Sequence, residues 1–276
     1  MVWKFLETIM TTLKDLMDLN GRRAMVTGAT GGLGKVMADA LAELGADLVL
    51  VDRPGSEFES LCASLTERWD VKVQHRVCDL ESQAQRSELM GWLKSSGENL
   101  SILINNAAFV GTSEVRGWVV PFEEQTLETW RRAMELNLTA IFDLCQGLTP
   151  MLKASEGASI INIASIYGMY GPDWGLYDGT SMGNPAAYAA SKGGLIQLTR
   201  WLATTIAPSV RVNSVSPGGV FANQPEAFVQ RYEARTPLGR LATYDDFRGV
   251  VTYLASDMSK YVTGQNLAVD GGWGVW

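Results

Sequence analysis

The segment from Arg23 to Leu44 limits the fold more than any other. Arg23-Ala-Met-Val-Thr27 reads as a short buried strand, runs into Gly28-Ala-Thr-Gly-Gly-Leu-Gly34, and leads to a helix from about Gly32 to Leu44. Strand, glycine turn and helix in that order point backbone N–H groups and a helix N-terminus at a diphosphate. A Cβ in the turn would hold the phosphate off the backbone, which is why glycine is needed there. The spacing is Gly-x-x-x-Gly-x-Gly, at Gly28, Gly32 and Gly34, rather than the commoner Gly-x-Gly-x-x-Gly. Its flanking strand and helix supply the context such a motif requires. A second strand, Asp47–Val51, ends at Asp52, eighteen positions after Gly34. That is close to the interval expected of an acid that binds an adenosine ribose. A carboxylate there accepts hydrogen bonds from both ribose hydroxyls and repels a 2′-phosphate, so NAD is expected over NADP. Arg53 is the counter-signal, because a neighbouring guanidinium could accept that phosphate.

The strand–helix alternation continues. Val71–Arg76 reads as a third strand, Gln83–Lys94 as a helix, Ser101–Ile104 as a fourth strand, and Ala158–Ile163, Arg211–Val215 and Asn266–Val269 as three more. Leu127–Met151 reads as a long helix interrupted near Asn137. The expected fold is α/β: a single doubly wound, Rossmann-like parallel sheet of seven strands with helices on both faces. No linker marks a second domain in residues 21–276. Asp79 follows the third strand, where it either hydrogen-bonds an adenine amino group or caps the next helix. Asn137, among Leu136, Leu138, Ile141 and Phe142, is a buried polar side chain that must find partners or cost about 1–3 kcal/mol. Ser165 lies just past the fifth strand, at the end of an open parallel sheet where ligands bind. In the loop 109–126, Trp118 and Phe122 either line a pocket or pack against the next helix.

Tyr188 and Lys192 are four apart in a helical stretch and share one face. A phenol holds its proton to a pH of about 10, and an adjacent ammonium is expected to lower that value. The pair suits proton transfer, although the spacing alone is common on helix surfaces.

Charge and composition exclude several classes. The net charge of -7 argues against a nucleic-acid surface, and no run of Lys or Arg attracts anionic lipid. The three cysteines, Cys62, Cys78 and Cys145, are scattered and odd in number, which fits a reducing compartment, here the cytoplasm, and no zinc site. His75 is the only histidine, so a multi-histidine metal centre is excluded. Residues 1–20 carry Val2, Phe5, Leu6, Ile9, Met10, Leu13, Leu16 and Met17 at helical spacing. They read as an amphipathic helix packed on its own domain or on a neighbouring subunit, too charged to span a membrane. The apolar end Trp273-Gly-Val-Trp276 is expected to pack on the chain or on a neighbouring subunit.

Taken in order, Thr27-Gly-x-x-x-Gly-x-Gly34, Asn105-Asn-Ala-Ala108, Asn137, Ser165, Tyr188-x-x-x-Lys192, Pro217-Gly218 and Tyr261-Val-Thr-Gly-Gln-Asn-Leu-Ala-Val-Asp-Gly-Gly272 resemble the compact short-chain dehydrogenase/reductase family across about residues 21–272. The resemblance implies Tyr188 as the acid in reduction and base in oxidation. It implies Lys192 as the residue that lowers its pKa and holds the nicotinamide ribose, and Ser165 as the hydrogen-bond partner of the substrate oxygen. Asn137 would hold a water that links Lys192 to solvent. It implies cofactor contacts at Gly28, Thr30, Gly31, Gly32, Leu33, Asp52, Arg53, Asp79, Leu80, Asn106, Ala107, Ala108, Tyr188, Lys192, Pro217, Gly218 and Val220. Tetramers or dimers are common among relatives, and no metal is expected here. The alternatives are a 3-oxoacyl-thioester reductase, against which Asp52 and the acidic charge argue, and an idle NAD-binding scaffold, against which the complete catalytic set argues.

The chain departs from the family pattern at Ala108, at Ala222 and in the interval between Ser165 and Tyr188. Ala108 stands where the family usually has Gly, and Ala222 where it often has a Thr that contacts the carboxamide, with Asn223 as a substitute. Residues 219–242 are expected to form a mobile lid in which Arg235 is either a solvated helix residue or a cation for an anionic substrate. Ser165 and Tyr188 are twenty-three residues apart, about twice the usual interval. The extra segment, Tyr170–Pro185 within a substrate loop 166–187, either covers a pocket for a sugar-like substrate or buttresses a subunit contact. It resembles a branch of bacterial enzymes of surface-glycan or flagellin-glycan biosynthesis.

Overall fold

The computed structural model describes residues 11–110 and 115–276. Most of the amphipathic pattern of residues 1–20 lies outside the described residues. Within them, α1 (Leu13–Met17) begins with reciprocal Thr12–Asp15 capping bonds and ends where Asp18 turns extended.

Seven strands form one parallel sheet in the order β3-β2-β1-β4-β5-β6-β7. They are β1 (Arg23–Thr27), β2 (Asp47–Asp52), β3 (Val73–Val77), β4 (Ile102–Asn105), β5 (Ser159–Ile163), β6 (Arg211–Pro217) and β7 (Asn266–Val269). Strands β1, β4 and β5 are buried along their whole length, because helices cover both faces. Met25, Val49, Leu103, Ile160 and Val212 face one layer, built from α4 (Gln83–Ser95), α6 (Ala140–Lys153) and α7 (Ala186–Thr205). Ala24, Val26, Leu50, Ile104 and Val215 face the other, built from α2 (Gly32–Glu43), α3 (Glu59–Trp69) and α9 (Arg248–Ala255). Alternate residues of one strand therefore feed two separate cores.

The third strand starts two residues later than the sequence indicates, since Val71 and Lys72 precede the ladder that Val73 opens with Leu48. The long helix breaks where Asn137 predicts. The helix α5 (Leu127–Met134) passes into one π turn, Glu135–Thr139, before α6. Such a turn inserts a residue and frees a main-chain carbonyl from its usual helical donor. Buried Arg86 braces this bend, donating to Asp143 at 2.6 Å, Glu135 at 2.8 Å and the Leu80 carbonyl at 2.6 Å.

The chain order reverses between β1 and β4, which opens a crevice at the C-terminal ends of those strands. A third, aromatic core closes over the far side of that edge. There Leu176 and Tyr177 of the extra segment pack with Phe228 and Tyr232 of α8 (Glu226–Arg235), and with Trp273.

Candidate functional site

The glycine turn and the end of β4 are stitched into one floor. The Asn106 side-chain amide donates to the carbonyls of Thr27 and Gly28, each at 3.0 Å. Thr27 Oγ1 in return accepts the N–H groups of Asn106 at 3.0 Å and Ala107 at 3.1 Å. Gly28 has φ +63°, and a Cβ there would lie 2.9 Å from Ala107 Cα. At Gly34 a Cβ would lie 2.0 Å from the Gly28 carbonyl oxygen. The turn is thus folded so tightly that any side chain would force it open. Gly31 is the N-cap of α2 and makes no side-chain cap bond, so the helix's first N–H groups stay available. Such a cradle fits a diphosphate.

Asp52 ends β2 and faces this floor. Its Oδ2 accepts the Thr30 N–H at 2.9 Å and the Thr30 hydroxyl at 2.7 Å, and its Oδ1 accepts the Arg53 N–H at 2.8 Å. The carboxylate therefore fixes the glycine turn. Arg53 is exposed and has no ion pair among the described residues. Asp79 is not the helix cap; Ser82 caps α4. Asp79 instead accepts the Glu81 N–H at 3.0 Å and shapes the bend that carries Leu80.

On the other side, Pro217 ends β6 and Gly218 donates to the Val269 carbonyl at 2.9 Å. Val220 pairs with Ala242 in an isolated bridge. Gln224, which sequence reasoning passed over, closes this loop. Its amide donates to the Val220 carbonyl and accepts the Ala222 N–H, both at 2.7 Å. Asn223, offered above as a substitute contact, has φ +62°.

Three of the four proposed catalytic groups meet at the end of β5. Ser165 is buried there, and its hydroxyl accepts the Tyr167 N–H at 3.2 Å. Its side chain also lies near enough to the Tyr188 phenol to favour the ionised form. Lys192 is buried one helical turn on, with Nζ donating to the Ile163 carbonyl at 2.7 Å and lying 5.7 Å from the Tyr188 ring centroid. Burial pushes the Lys192 ammonium down to about 8. Burial also raises the Tyr188 phenol, against a smaller lowering by Ser165. The Tyr188 phenol, expected to be lowered by Lys192, is instead raised by its burial. Both groups lose water, and each resists its charged form.

The Asn137 side chain is satisfied by bonds to groups outside that triad. Its Oδ1 accepts the Phe109 N–H at 2.6 Å, and its Nδ2 donates to Ser191 Oγ at 3.0 Å. The side chain offsets its burial by fixing the 109 loop to α7. Trp118 packs edge-on against Phe109 at 4.8 Å and is buried, whereas Phe122 is exposed beside a cavity of about 210 Å³.

The extra segment and α8, which lies within the expected lid 219–242, pack into one layer that serves as the roof. Arg231 of α8 donates to the carbonyls of Leu176 at 3.4 Å and Asp178 at 2.5 Å. Arg235 is half-exposed and already paired. Its Nε lies 3.3 Å from Asp173 Oδ2 and its guanidinium sits 4.7 Å over Trp273. Tyr167 and Tyr177 join hydroxyl to hydroxyl, and burial raises both phenols. Trp273 packs inside its own chain, while Trp276 is exposed. A cavity of about 300 Å³ lies between Tyr170, Asp173, Arg235 and Trp273. Buried side-chain atoms without a hydrogen-bond partner among the described residues are Asn105 Oδ1, both amide atoms of Asn184, Arg235 Nε and Trp273 Nε1. Four of these five belong to the roof and its junction with α7.

His75 stacks on Phe58 on β3, four strand spacings from β5, which is about 19 Å. A serine–histidine pair at Ser165 is excluded. No group of three or more His, Cys, Asp or Glu residues able to hold a metal occurs among the described residues.

Residues 28–274 match the family model described as Enoyl-(Acyl carrier protein) reductase, adh_short_C2. A chloroplastic tropinone reductase homolog of Arabidopsis thaliana is 34% identical over 273 residues, covering 96% of this chain and 79% of that protein. A 3-oxoacyl-[acyl-carrier-protein] reductase of Thermotoga maritima is 30% identical over 263 residues, covering 93% and 99%. The crystal structure of a gluconate 5-dehydrogenase from Burkholderia cenocepacia, in complex with NADP and tartrate, superposes with a TM-score of 0.80 at 29% identity, covering 96% of this chain and 100% of that one.

Proposed function

This chain belongs to the short-chain dehydrogenase/reductase family of oxidoreductases, and we propose that it moves hydride between a nicotinamide and the carbinol or carbonyl carbon of a small polar, sugar-like substrate. The observation that carries the reading is the meeting of the Tyr188 phenol, the Ser165 hydroxyl and the Lys192 amine at the end of β5. The bound nicotinamide supplies the hydride chemistry; the protein supplies position and field. Tyr188 gives a proton to the substrate oxygen in reduction and takes one in oxidation. Ser165 hydrogen-bonds the same oxygen and stabilises charge as it develops there. Lys192 passes the proton onward, through water held at the π turn of Asn137, and holds the nicotinamide ribose.

We assign NAD as the preferred cofactor because the Asp52 carboxylate would repel a 2′-phosphate. The Burkholderia relative was solved with NADP, so this preference rests on Asp52 alone, and Arg53 opposes it. The polar substrate class is supported by the unpartnered amide of Asn184 and indole N–H of Trp273 in the roof. Buried donors and acceptors left unpaired in the free chain are costly unless a ligand meets them. Gluconate, the substrate named for the Burkholderia relative, has that hydroxyl-rich character.

The Thermotoga relative favours a second reading, reduction of a 3-oxoacyl thioester. The net charge of -7 offers an acidic carrier little attraction. Assays of polyols, sugar acids and a 3-oxoacyl thioester, with either reduced or oxidised cofactor, separate the two. A homo-oligomer, dimer or tetramer, accounts for the exposed Leu127 and Trp130 on α5, Phe142 on α6 and Trp201 on α7. The cytoplasm suits three free thiols. No described helix is long and apolar enough to cross a membrane.

Tyr188→Phe tests the assignment. Cofactor should still bind while turnover nearly stops; unchanged turnover would overturn the role of the phenol, and an idle scaffold predicts no turnover in the wild type.

A further inference from the structure

Tyr244 packs on the glycine turn, although the sequence places it 212 positions after Gly32. A Cβ built on Gly32 would fall 2.2 Å from Cζ and 2.6 Å from the hydroxyl oxygen of Tyr244. The phenol ring therefore packs directly on Gly32, the first residue of α2, where the helix presents its free N–H groups. The ring is half-buried, and its hydroxyl makes no hydrogen bond among the described residues.

The segment that carries this ring is held rigid. Thr243 and Asp246 form reciprocal capping bonds around the short turn Tyr244–Phe247. The Arg240 guanidinium grips the Asp246 carboxylate with two bonds, at 2.7 and 2.8 Å. Ala242 donates to the Gly219 carbonyl at 2.9 Å and accepts the Phe221 N–H at 2.8 Å, which ties the turn to the loop after β6. Phe247 anchors the other end in the core. The fork on Asp246 also decides which donor is available. Arg240 is the cation of this segment, and its charge is already committed.

We infer that Tyr244 is a cofactor-binding residue whose phenol O–H donates to a diphosphate oxygen at the N-terminus of α2, closing the cradle from the side opposite the β4 floor. A neutral donor there complements the backbone N–H groups of a turn that carries no Lys or Arg between Gly28 and Gly34. It also makes the fit of Gly32 reciprocal, since any side chain at 32 would expel the ring. This assignment rests on the reading of the protein as a nicotinamide-dependent enzyme.

The test is binding of NADH, followed by its fluorescence, and of ADP-ribose, followed by calorimetry, to the wild type and to Tyr244→Phe. Phenylalanine keeps the ring on Gly32 and removes only the hydroxyl, and an unchanged melting temperature checks that the fold is kept. Loss of a hydrogen bond to a charged oxygen should weaken both ligands about tenfold. ADP-ribose must lose as much as NADH, because it keeps the diphosphate and lacks the nicotinamide. Equal affinity of Tyr244→Phe and wild type would overturn the assignment and leave Tyr244 as packing. A loss confined to NADH would also overturn it, since the hydroxyl would then act on the nicotinamide half. A wild type that binds neither NADH nor NADPH would overturn the function proposed above as well, so the two failures are told apart by the wild-type measurement.

Discussion

The floor of the cleft and its roof satisfy their polar groups in different ways. In the floor, Thr27, Asn106, Thr30 and Asp52 spend their hydrogen bonds on one another and on the glycine turn. In the roof, Asn184 and Trp273 keep buried polar atoms without a hydrogen-bond partner among the described residues while aromatic rings fill the space around them. On the function proposed above, such a floor would be preorganised for one cofactor of fixed shape, and such a roof would leave recognition to be completed by the substrate. The difference teaches where tolerance lies. Changes in the floor should act on any cofactor-dependent reaction, and changes in the roof should act on one substrate at a time.

Four experiments break or sharpen that comparison, in falling order of effect. Tyr188→Phe, at the junction of floor and roof, should cut turnover by about 10²–10⁴ with cofactor affinity kept, read by steady-state rates and NADH fluorescence. In the oxidation direction, activity of the wild type should climb with pH in the alkaline range, because burial raises the Tyr188 phenol and its base form appears late.

Lys192→Met addresses the buried amine. The free side chain holds its proton to 10.5, and the fold lowers this to about 8. Between those values the unfolded chain binds the extra proton, so stability of the wild type rises with pH there, and below about 8 the fold carries the full cost. That cost is of the order of 3 kcal/mol. Unfolding in urea across this range should show a gap between variant and wild type that favours the variant at neutral pH and narrows as pH rises. A gap that stays constant would mean that the amine is not paying for burial.

Asp52→Ala should weaken NAD about tenfold, the size of a lost bond to a charged group, and relax rejection of NADP. It should also loosen the glycine turn through Thr30. A wild type that already prefers NADPH would sink the ribose argument. Asn184→Leu, in the roof, should raise KM for a hydroxylated substrate several-fold and leave NADH affinity alone. It should also stabilise the free protein by about 1 kcal/mol, because an unpaired buried amide is removed. A variant that is less stable and has an unchanged KM would show that the amide is satisfied in solution.

Much of the floor was legible in the chain. Val26, Leu50 and Ile104 belong to apolar runs that only a sheet covered on both faces explains, and β1 and β7 begin and end where those runs do. Asn137 announced a break in a long helix because a polar residue in an apolar stripe is costly, and a π turn occupies that position. Val71 misled, because its apolar side chain belongs to the core beneath α3 rather than to the β3 ladder. The Tyr188 pKa was misjudged for a related reason. The spacing of Tyr188 and Lys192 is local, but the water each loses depends on every element packed around them.

The chain by itself determined the alternation of strands and helices, the glycine turn, and the order in which chemically capable residues reach the strand ends. Those features arise from periodicity, glycine geometry and burial over a few neighbouring residues. Tertiary structure alone decided that Tyr244 rests on Gly32, that Asp52 is shared with Thr30, that Arg235 is spent on Asp173 and Trp273, and that Asn184 is left unpaired. Each of those is a contact between segments far apart along the chain or the lack of one. Their formation depends on how whole elements pack, which no short stretch of sequence encodes.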